Sequence, residues 1–252
     1  MTARALQGQT ALVTGAAKRI GRAIALTLAD EGVNVVLHYN SSVEEAKVLA
    51  RELAQRGTKT WLMQANFEKP IEYESLVQRV LDNAGSLDIL VNSASIYFEE
   101  TLDQVSFASL TRNVEVNAWA PFALGRDFAR LVGRGKIVNL LDSRVGDYDW
   151  KHVGYILSKH VFAAMTRMMV LQFAPEITVN GIGPGLVLPP PGQPESYIDA
   201  MAHTVPLKRH GLPEDVAEAV LYLLRADFVT GQVINVDGGR HLWEYTSGPK
   251  PG

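Results

Sequence analysis

The sequence predicts one α/β domain over residues 1–252, built as a doubly wound parallel sheet of about seven strands with helices on both faces. Short apolar runs alternate with longer helical patterns along the whole chain. The runs lack polar–apolar alternation, which is typical of strands buried on both faces. No internal repeat or linker interrupts the alternation, and the length is sufficient for one sizeable core.

Seven runs rich in Val, Ile and Leu are the predicted strands, at residues 10–14, 33–38, 58–64, 88–91, 136–141, 177–182 and 232–236. Helical patterns occupy residues 20–31, 43–56, 71–83, 107–132, 153–173 and 213–224. Segment 183–212 is too long and too rich in proline for an ordinary connection, so it is predicted to be a functional loop or lid. The tail, residues 243–252, contains Gly and Pro and is expected to be flexible or to dock on a partner subunit.

Composition excludes several kinds of site. The net charge is −3 and the basic residues are scattered, so we expect no nucleic-acid partner. The chain has no cysteine, which excludes disulfides, thiolate metal sites and cysteine nucleophiles and is compatible with the cytoplasm, where we expect the protein. It contains neither a signal-type apolar segment at its start nor a run of ~18 apolar residues, so we expect no membrane span. No His, Asp or Glu cluster has ligand spacing, and we expect no metal.

Tyr155 and Lys159 form the most informative pair in the chain, because residues four apart share one face of a helix. An ammonium group held beside a phenol stabilises the phenolate and lowers the phenol's pKa. A tyrosine tuned in this way can exchange a proton near neutral pH. The alternative is an ordinary amphipathic surface pair.

A glycine-containing turn follows the first predicted strand. Gly15 and Gly21 bracket Lys18, Arg19 and Ile20, and the next helix begins here. Glycines in such a turn allow backbone N–H groups to approach a pyrophosphate, and the helix N-terminus adds partial positive charge. We therefore predict a nucleotide site, with a purely structural turn as the alternative.

The end of the second strand carries His38, Tyr39, Asn40 and Ser41, with no acidic residue before Glu44. A cofactor with a free ribose 2′-hydroxyl usually meets an Asp or Glu at this position. Polar donors here, with Lys18 and Arg19 nearby, suit a 2′-phosphate and predict NADP(H) over NAD(H). The alternative is a polar turn that caps the following helix, and both can hold.

With these motifs in place, nearly the whole chain resembles the short-chain dehydrogenase/reductases. The resemblance implies a Rossmann-like domain, commonly a homotetramer, that moves hydride between a nicotinamide and a small-molecule substrate. Its markers, in order, are Thr14-Gly15…Gly21, Asn92-Ser93-Ala94-Ser95, Asn117, Tyr155…Lys159, Asn180-Gly181-Ile182-Gly183-Pro184-Gly185 and Thr230-Gly231…Val236-Asp237-Gly238-Gly239.

Departures from the family pattern resemble its pteridine reductase branch, including dihydromonapterin reductases. Arg19 stands where most members have Gly, and Asp142 stands where most have a catalytic Ser, with Ser143 beside it. The branch also shares Leu37-His38-Tyr39, the Ala-Ser of residues 94–95 and the ending at residues 228–242.

The resemblance implies roles for individual residues. Tyr155 is expected to donate the proton, Lys159 to hold the nicotinamide ribose, Asp142 to relay a proton and Asn117 to hold a water. Two other possibilities are that Asp142 only caps local N–H groups and that Ser143 acts as the family serine. The expected substrate contacts are Arg19, Ser95, Tyr97, Asp142 and Tyr155, with Tyr97 stacking on a flat heterocycle. Further cofactor contacts implied by the resemblance are Asn66, Asn92, Ser93, Ala94, Ser95, Pro184, Gly185 and Leu186.

The implied activity is NADPH-dependent reduction of pterins. Two alternatives stay open: a 3-oxoacyl-thioester or general carbonyl reductase of the same family, and a cofactor-binding module without catalysis.

Overall fold

The strands of the computed structural model, which describes residues 6–190 and 192–242, form one parallel sheet in the order β3-β2-β1-β4-β5-β6-β7. Each predicted strand is confirmed to within two residues at either end. The predicted tail and Pro191 of the predicted lid lie outside the described residues. The strands are β1 (Thr10–Val13), β2 (Asn34–Tyr39), β3 (Thr60–Gln64), β4 (Ile89–Asn92), β5 (Gly135–Leu140), β6 (Ile177–Pro184) and β7 (Val233–Val236).

Helices connect consecutive strands. Among the described residues, none of them is long and apolar enough to cross a bilayer. They are α1 (Arg19–Asp30), α2 (Val43–Gln55), α3 (Pro70–Glu74), α4 (Leu76–Ala84), α5 (Phe107–Val114), α6 (Ala120–Leu131), α7 (Val153–Phe173), α8 (Glu195–Met201) and α9 (Pro213–Arg225).

Three predicted segments need correction. The helix predicted at 71–83 is divided into α3 and α4 at Ser75, whose hydroxyl donates to the Glu72 carbonyl at 3.1 Å and so competes with the regular helical pattern. The helix predicted at 107–132 contains a π-helical turn, Glu115–Trp119, between α5 and α6. The predicted lid is not a plain loop, because α8 and a 3₁₀ turn at Ala202–Thr204 lie within it.

The core lies in two layers, one on each face of the sheet. Val13 of β1 packs in the same layer as Ile24 of α1 and Val220 of α9. Its neighbour Leu12 points to the opposite layer, which contains Phe128 of α6. All five side chains are fully buried, each removing apolar surface worth roughly 1.5–3 kcal/mol. Burial on both faces explains why the strands read as continuous apolar runs.

The strand order reverses at β1, since β2 lies on one side of it and β4 on the other. Loops leaving β1 and β4 therefore diverge to opposite faces and open a crevice at the carboxyl edge of the sheet, the usual ligand position in open α/β sheets. The predicted motifs follow the carboxyl ends of β1, β2, β4, β5 and β6 and so converge on this edge.

Candidate active site

A cleft of about 520 Å³ opens at the carboxyl edge of the sheet, within the size range of small-molecule sites. The structure brings most of the predicted residues together along its walls. Those that line it are Gly15, Lys18, Arg19, Ile20, Gly21, Ser93, Ala94, Ser95, Tyr97, Asp142, Tyr155, Lys159, Pro184, Gly185 and Leu186.

Tyr155 and Asp142 are in direct contact at the centre of the cleft. Asp142 follows β5, Tyr155 lies in the first turn of α7, and the tyrosine hydroxyl donates to Asp142 Oδ2 at 2.9 Å. Burial, followed by the charge and hydrogen bond of Asp142, raises the pKa of Tyr155 well above its ordinary value. The expectation that this phenol has a lowered pKa is therefore wrong for the structure, in which Asp142 is the group bonded to the hydroxyl. A raised pKa keeps the phenol protonated.

Lys159 lies one turn along α7 from Tyr155, with its ammonium 5.7 Å from the centre of the tyrosine ring. Both residues are buried, which rules out the alternative of an amphipathic surface pair. Lys159 Nζ donates to the Leu140 carbonyl at 2.8 Å. Burial lowers the pKa of Lys159 to about 8, against the opposing effect of the Asp142 charge.

Asn117 is fully buried in the π-helical turn, a distortion frequent at functional sites. Its Oδ1 accepts from Ile96 N at 2.8 Å and from the Ser95 hydroxyl at 3.0 Å. Its Nδ2 donates to Ile96 O and to the Ser158 hydroxyl, each at 3.0 Å. These bonds use the full capacity of the side-chain amide, which leaves it no free group for a water, and the water-holding role expected of Asn117 stays a prediction. Asn117 fixes the turn that presents Ser95 and Tyr97.

The turn after β1 is tightly packed. A Cβ on Gly15 would lie 2.9 Å from Ala94 Cα, and one on Gly21 would lie 2.3 Å from Gly15 O, so neither position tolerates a side chain without a backbone shift. Arg19, between them, has φ 57°, a left-handed conformation that costs a non-glycine residue of order 1–2 kcal/mol. Its guanidinium donates to the Pro189 carbonyl of the lid at 2.8 Å. Lys18 pairs with Glu45 of α2 at 2.7 Å.

His38 is buried, and both of its ring nitrogens are engaged. Gly15 N donates to Nδ1 at 3.2 Å, and Nε2 lies 3.0 Å from Ala65 O, so the neutral Nε2–H tautomer satisfies both contacts. The ring stacks on Phe67 at 4.4 Å. Burial lowers the pKa of His38 to about 4, although the bond to Ala65 raises it. The expected role of His38 as a phosphate donor is therefore wrong, and it anchors the glycine turn instead.

The other residues after β2 lie near the surface. Asn40 and Ser41 are exposed, and Tyr39 is half-buried and accepts from Ala65 N through its carbonyl at 3.1 Å. Ser42 occupies the N-cap position of α2, but its side chain makes no capping bond.

A second cavity of about 160 Å³ adjoins the cleft. It shares Gly15, Ala94 and Ser95 with the cleft and adds His38, Asn40 and Asn66 among its lining residues. The predicted cofactor residues thus continue from one cavity into the next.

Asn92 departs from its expected role. It is buried, donates to Asn139 Oδ1 at 2.9 Å and to the Pro121 carbonyl at 3.3 Å, and lines neither cavity. Thr14 performs the local anchoring, since its hydroxyl accepts from Ser93 N at 2.9 Å and Ala94 N at 3.0 Å. Asn92 therefore joins β4 to β5 rather than contacting a ligand.

Ser143 does not replace Asp142. Its side chain is buried, its backbone N–H donates to Pro184 O at 3.1 Å, and it does not line the cleft. The bond from Tyr155 goes to Asp142, so the alternative of a one-residue shift is wrong. Asp142 Oδ1 also accepts from Arg144 N at 2.8 Å, so the expected local capping is present together with the contact to Tyr155.

The residues of the cleft that were not predicted from the sequence include a connected polar group, Arg144, Asp149 and His152. Arg144 pairs with Asp149 at 2.7 Å, and His152 Nδ1 lies 2.8 Å from the same carboxylate oxygen. Burial raises the pKa of Asp149, but the His152 hydrogen bond and the Arg144 charge outweigh it and bring the pKa to about 2. His152 also stacks on Tyr97 with ring centres 4.1 Å apart. The only sequence signal was the position of His152 one helical turn before Tyr155. In residues 6–190 and 192–242 no group of three or more His, Asp or Glu side chains is arranged to hold a metal ion.

Comparison with known proteins matches this architecture. A family model described as enoyl-(acyl carrier protein) reductase matches residues 15–241. The 3-oxoacyl-[acyl-carrier-protein] reductase FabG of Staphylococcus epidermidis is 31% identical over 242 residues, covering 93% of this chain and 99% of its own.

Solved structures also superimpose over nearly the whole chain. FolM alternative dihydrofolate reductase 1 from Brucella suis, in complex with NADP, matches with a TM-score of 0.90 and 31% identity over 98% of both chains. The protein of that name from Brucella canis, complexed with NADP, matches with a TM-score of 0.87 and 32% identity over 95% of this chain and 96% of its own. With these relatives and a Tyr155–Lys159 pair buried in the cleft, the chain belongs to the short-chain dehydrogenase/reductase family.

Proposed function

We propose that this protein is an NADPH-dependent reductase of pterins, acting on dihydropteridine-type substrates such as dihydrobiopterin or dihydromonapterin. One observation carries the proposal: the Tyr155 hydroxyl is bonded to a carboxylate, Asp142, at 2.9 Å, at the position where most family members have serine. A carboxylate can exchange protons with the tyrosine, whereas a serine hydroxyl at its ordinary acidity only donates and accepts hydrogen bonds. Reduction of a ring C=N bond requires that a nitrogen be protonated.

The residues of the cleft fit a nicotinamide dinucleotide. Gly15 and Gly21 permit close backbone approach at the N-terminus of α1, which suits a pyrophosphate. Lys159 lines the same cleft and is assigned to hold the nicotinamide ribose. NADPH, when bound, supplies the hydride that a pterin ring carbon receives. Proton delivery and the positioning of the substrate fall to side chains of this protein.

Proton delivery follows from the contacts of Tyr155. Its raised pKa means that it enters the reaction protonated, as a donor must. When the substrate nitrogen takes the proton, the phenolate oxygen that remains lies beside Asp142, and the Lys159 ammonium is 5.7 Å from the centre of the ring. The ammonium stabilises this oxygen, and Asp142 passes on a proton taken from solvent at the open cleft.

The choice of NADPH over NADH is supported by charge. Residues 38–41 provide no acidic side chain at the end of β2, and Lys18 and Arg19 lie in the cleft wall. A ribose 2′-phosphate would meet these two cations, of which Lys18 also pairs with Glu45 at 2.7 Å. The Brucella relatives, each described as a complex with NADP, agree with this choice.

A second candidate is reduction of 3-oxoacyl thioesters, because the FabG relative carries that activity in its name at 31% identity. Tyr155 and Lys159 would serve a ketone equally well. Asp142 distinguishes the two candidates, since a ketone oxygen requires one proton from Tyr155 and no carboxylate partner.

We also propose that the protein is a cytoplasmic homotetramer. Support for assembly comes from large apolar side chains on the exposed side of α7 and next to α6, namely Leu157, Met168, Leu171 and Trp119. Unpartnered apolar surface of this kind is typical of an interface. Light scattering should give a mass near four times that of one chain, and the mass of a single chain would contradict the proposal.

The function is tested by measuring NADPH oxidation with dihydrobiopterin, dihydromonapterin, dihydrofolate and an acetoacetyl thioester, each beside an NADH control. We expect turnover of a dihydropterin with NADPH. Turnover confined to the thioester would establish the second candidate, and NADPH binding without turnover of any substrate would indicate a non-catalytic cofactor-binding module.

A further inference from the structure

Six side chains form a closed circuit around the substrate end of the cleft. From Tyr155 the contacts run to Asp142 at 2.9 Å, from Asp142 to Arg144 at 3.7 Å and from Arg144 to Asp149 at 2.7 Å. They continue from Asp149 to His152 and from His152 to Tyr97, whose ring meets that of Tyr155 edge to face at 4.7 Å. The two tyrosines therefore lie side by side in the cleft wall.

The two halves of the circuit orient their hydroxyl groups differently. Tyr155 donates its hydrogen to Asp142. For Tyr97 the neighbouring groups are His152 Nδ1, at 3.0 Å, and Arg144, which donates to the hydroxyl. A guanidinium has only donors, so the Tyr97 oxygen is the acceptor in that bond.

His152 Nδ1 cannot accept the Tyr97 hydrogen. Asp149 Oδ2 lies 2.8 Å from His152 Nδ1 and is held ionised by Arg144 at 2.7 Å, so the hydrogen between them must be on the imidazole nitrogen. A protonated Nδ1 has one hydrogen, which Asp149 takes, and no free lone pair. Neither His152 nor Arg144 therefore offers an acceptor to the Tyr97 hydroxyl.

Because neither neighbour accepts this hydrogen, we infer that Tyr97 donates its hydroxyl hydrogen into the cleft. There it binds a hydrogen-bond acceptor on the substrate, next to the atom that Tyr155 protonates. In the described part of the chain, no protein acceptor takes this hydrogen, and Tyr97 is half-buried in the cleft wall. The inference rests on the proposed function and adds a substrate feature to it: a ring nitrogen or exocyclic carbonyl next to the reduced bond.

This role differs from the stacking expected of Tyr97. One face of its ring is covered by His152 at an interplanar angle of 19°, and the ring also contacts Tyr155. A stacking residue works equally well as phenylalanine, whereas a donor does not. Removal of the Tyr97 hydroxyl group therefore distinguishes the two roles.

The experiment compares wild type and Tyr97→Phe for NADPH-dependent reduction of the dihydropterin that wild type turns over. Loss of the donor leaves a desolvated acceptor on the substrate, so we expect kcat/KM to fall about tenfold while KM for NADPH is unchanged. Tyr222→Phe, an exposed tyrosine on α9, is the matched control and should have no effect. Unchanged or improved kcat/KM for Tyr97→Phe would overturn the inference and restore the stacking role.

A second variant tests the orientation. In Asp149→Asn the amide can donate to His152 Nδ1, which moves the imidazole hydrogen to Nε2, and the loss of the carboxylate charge weakens the hold on Arg144. We expect a loss of pterin kcat/KM that does not add to that of Tyr97→Phe in the double variant. Additive losses would mean that Asp149 acts independently of the Tyr97 hydroxyl and would overturn its assigned orientation.

Failure of this inference is distinguishable from failure of the proposed function. A wild-type enzyme that reduced only the acetoacetyl thioester would contradict the pterin assignment alone. The Tyr97→Phe comparison would then be made on that substrate, whose carbonyl is also an acceptor, with the same two outcomes.

Discussion

The Tyr155 hydroxyl donates to Asp142 Oδ2 at 2.9 Å, and burial together with this contact raises the tyrosine's pKa well above its ordinary value. A tyrosine beside a lysine alone is tuned toward phenolate, whereas a buried tyrosine bonded to a carboxylate keeps its proton. In the proposed function, Asp142 thus helps to keep Tyr155 protonated before the reaction and returns a proton to it afterwards.

The pH dependence of turnover should report Lys159. Its pKa of about 8 means that the ammonium is charged below that pH and neutral above it, and only the charged form stabilises the phenolate left on Tyr155. We expect kcat/KM to fall as pH rises through about 8. In Lys159→Arg, whose guanidinium stays charged, residual activity should show no such fall. A wild-type profile that stays flat to about pH 9 would contradict this assignment.

The stability of the protein should decrease in mild acid because of His38. Its folded pKa of about 4 is below the ordinary value of 6.5, so the unfolded chain binds the additional proton between these pH values. The contribution of neutral, buried His38 to the free energy of unfolding is present above pH 6.5 and is lost as pH falls toward 4. We expect His38 to account for about 2 kcal/mol of the loss between pH 7 and pH 5 in urea unfolding.

His38→Gln should show a smaller decrease over the same interval, whatever its stability at pH 7. His203→Gln, on an exposed histidine of the 3₁₀ turn, is the control and should behave as wild type does. Equal pH dependence in wild type and His38→Gln would mean that the buried imidazole is not the titrating group.

The ion pair between Lys18 and Glu45 should modulate affinity for the cofactor. The side chains of Lys18 and Glu45 are 52% and 47% exposed. The pair engages the same lysine that we expect to contact a 2′-phosphate. In fluorescence titrations we expect Lys18→Ala to weaken NADPH binding about fivefold and to leave NADH binding unchanged. Glu45→Gln should tighten NADPH binding about twofold by releasing the lysine. Equal effects of Lys18→Ala on the two cofactors would remove Lys18 from the 2′-phosphate site.

The sequence predicts correctly those strands and helices whose pattern of apolar residues is determined by burial. The strands appear as apolar runs because both of their faces are covered, and α7 was predicted with its observed bounds, Val153–Phe173. The break at Ser75 was not predictable, because one side-chain bond to Glu72 decides it within an otherwise helical pattern. The helix α8 was missed since Ile198 is its only buried residue, which leaves no periodic apolar face.

Residues that line the cleft were predicted where their motifs are local and were missed where their position depends on loop shape. The spacing of Gly15, Tyr155 and Lys159 was sufficient to predict that they lie in one cleft. Asp149 and Arg144 reach the cleft only because the loop after β5 folds back on itself, and nothing in their spacing indicates this. His38 was assigned to the correct region but the wrong role, because the sequence does not show that both of its nitrogens are engaged by backbone.

The central claim is that Asp142 makes this enzyme a pterin reductase, and the most direct test is the ratio of kcat/KM for a dihydropterin to that for an acetoacetyl thioester in wild type and Asp142→Ser. We predict that the serine variant loses about a hundredfold in pterin reduction while thioester reduction is preserved or improved. Ser143→Ala, on the buried neighbour, should leave the ratio as in wild type. An equal loss on both substrates, or no change in the ratio, would contradict the account.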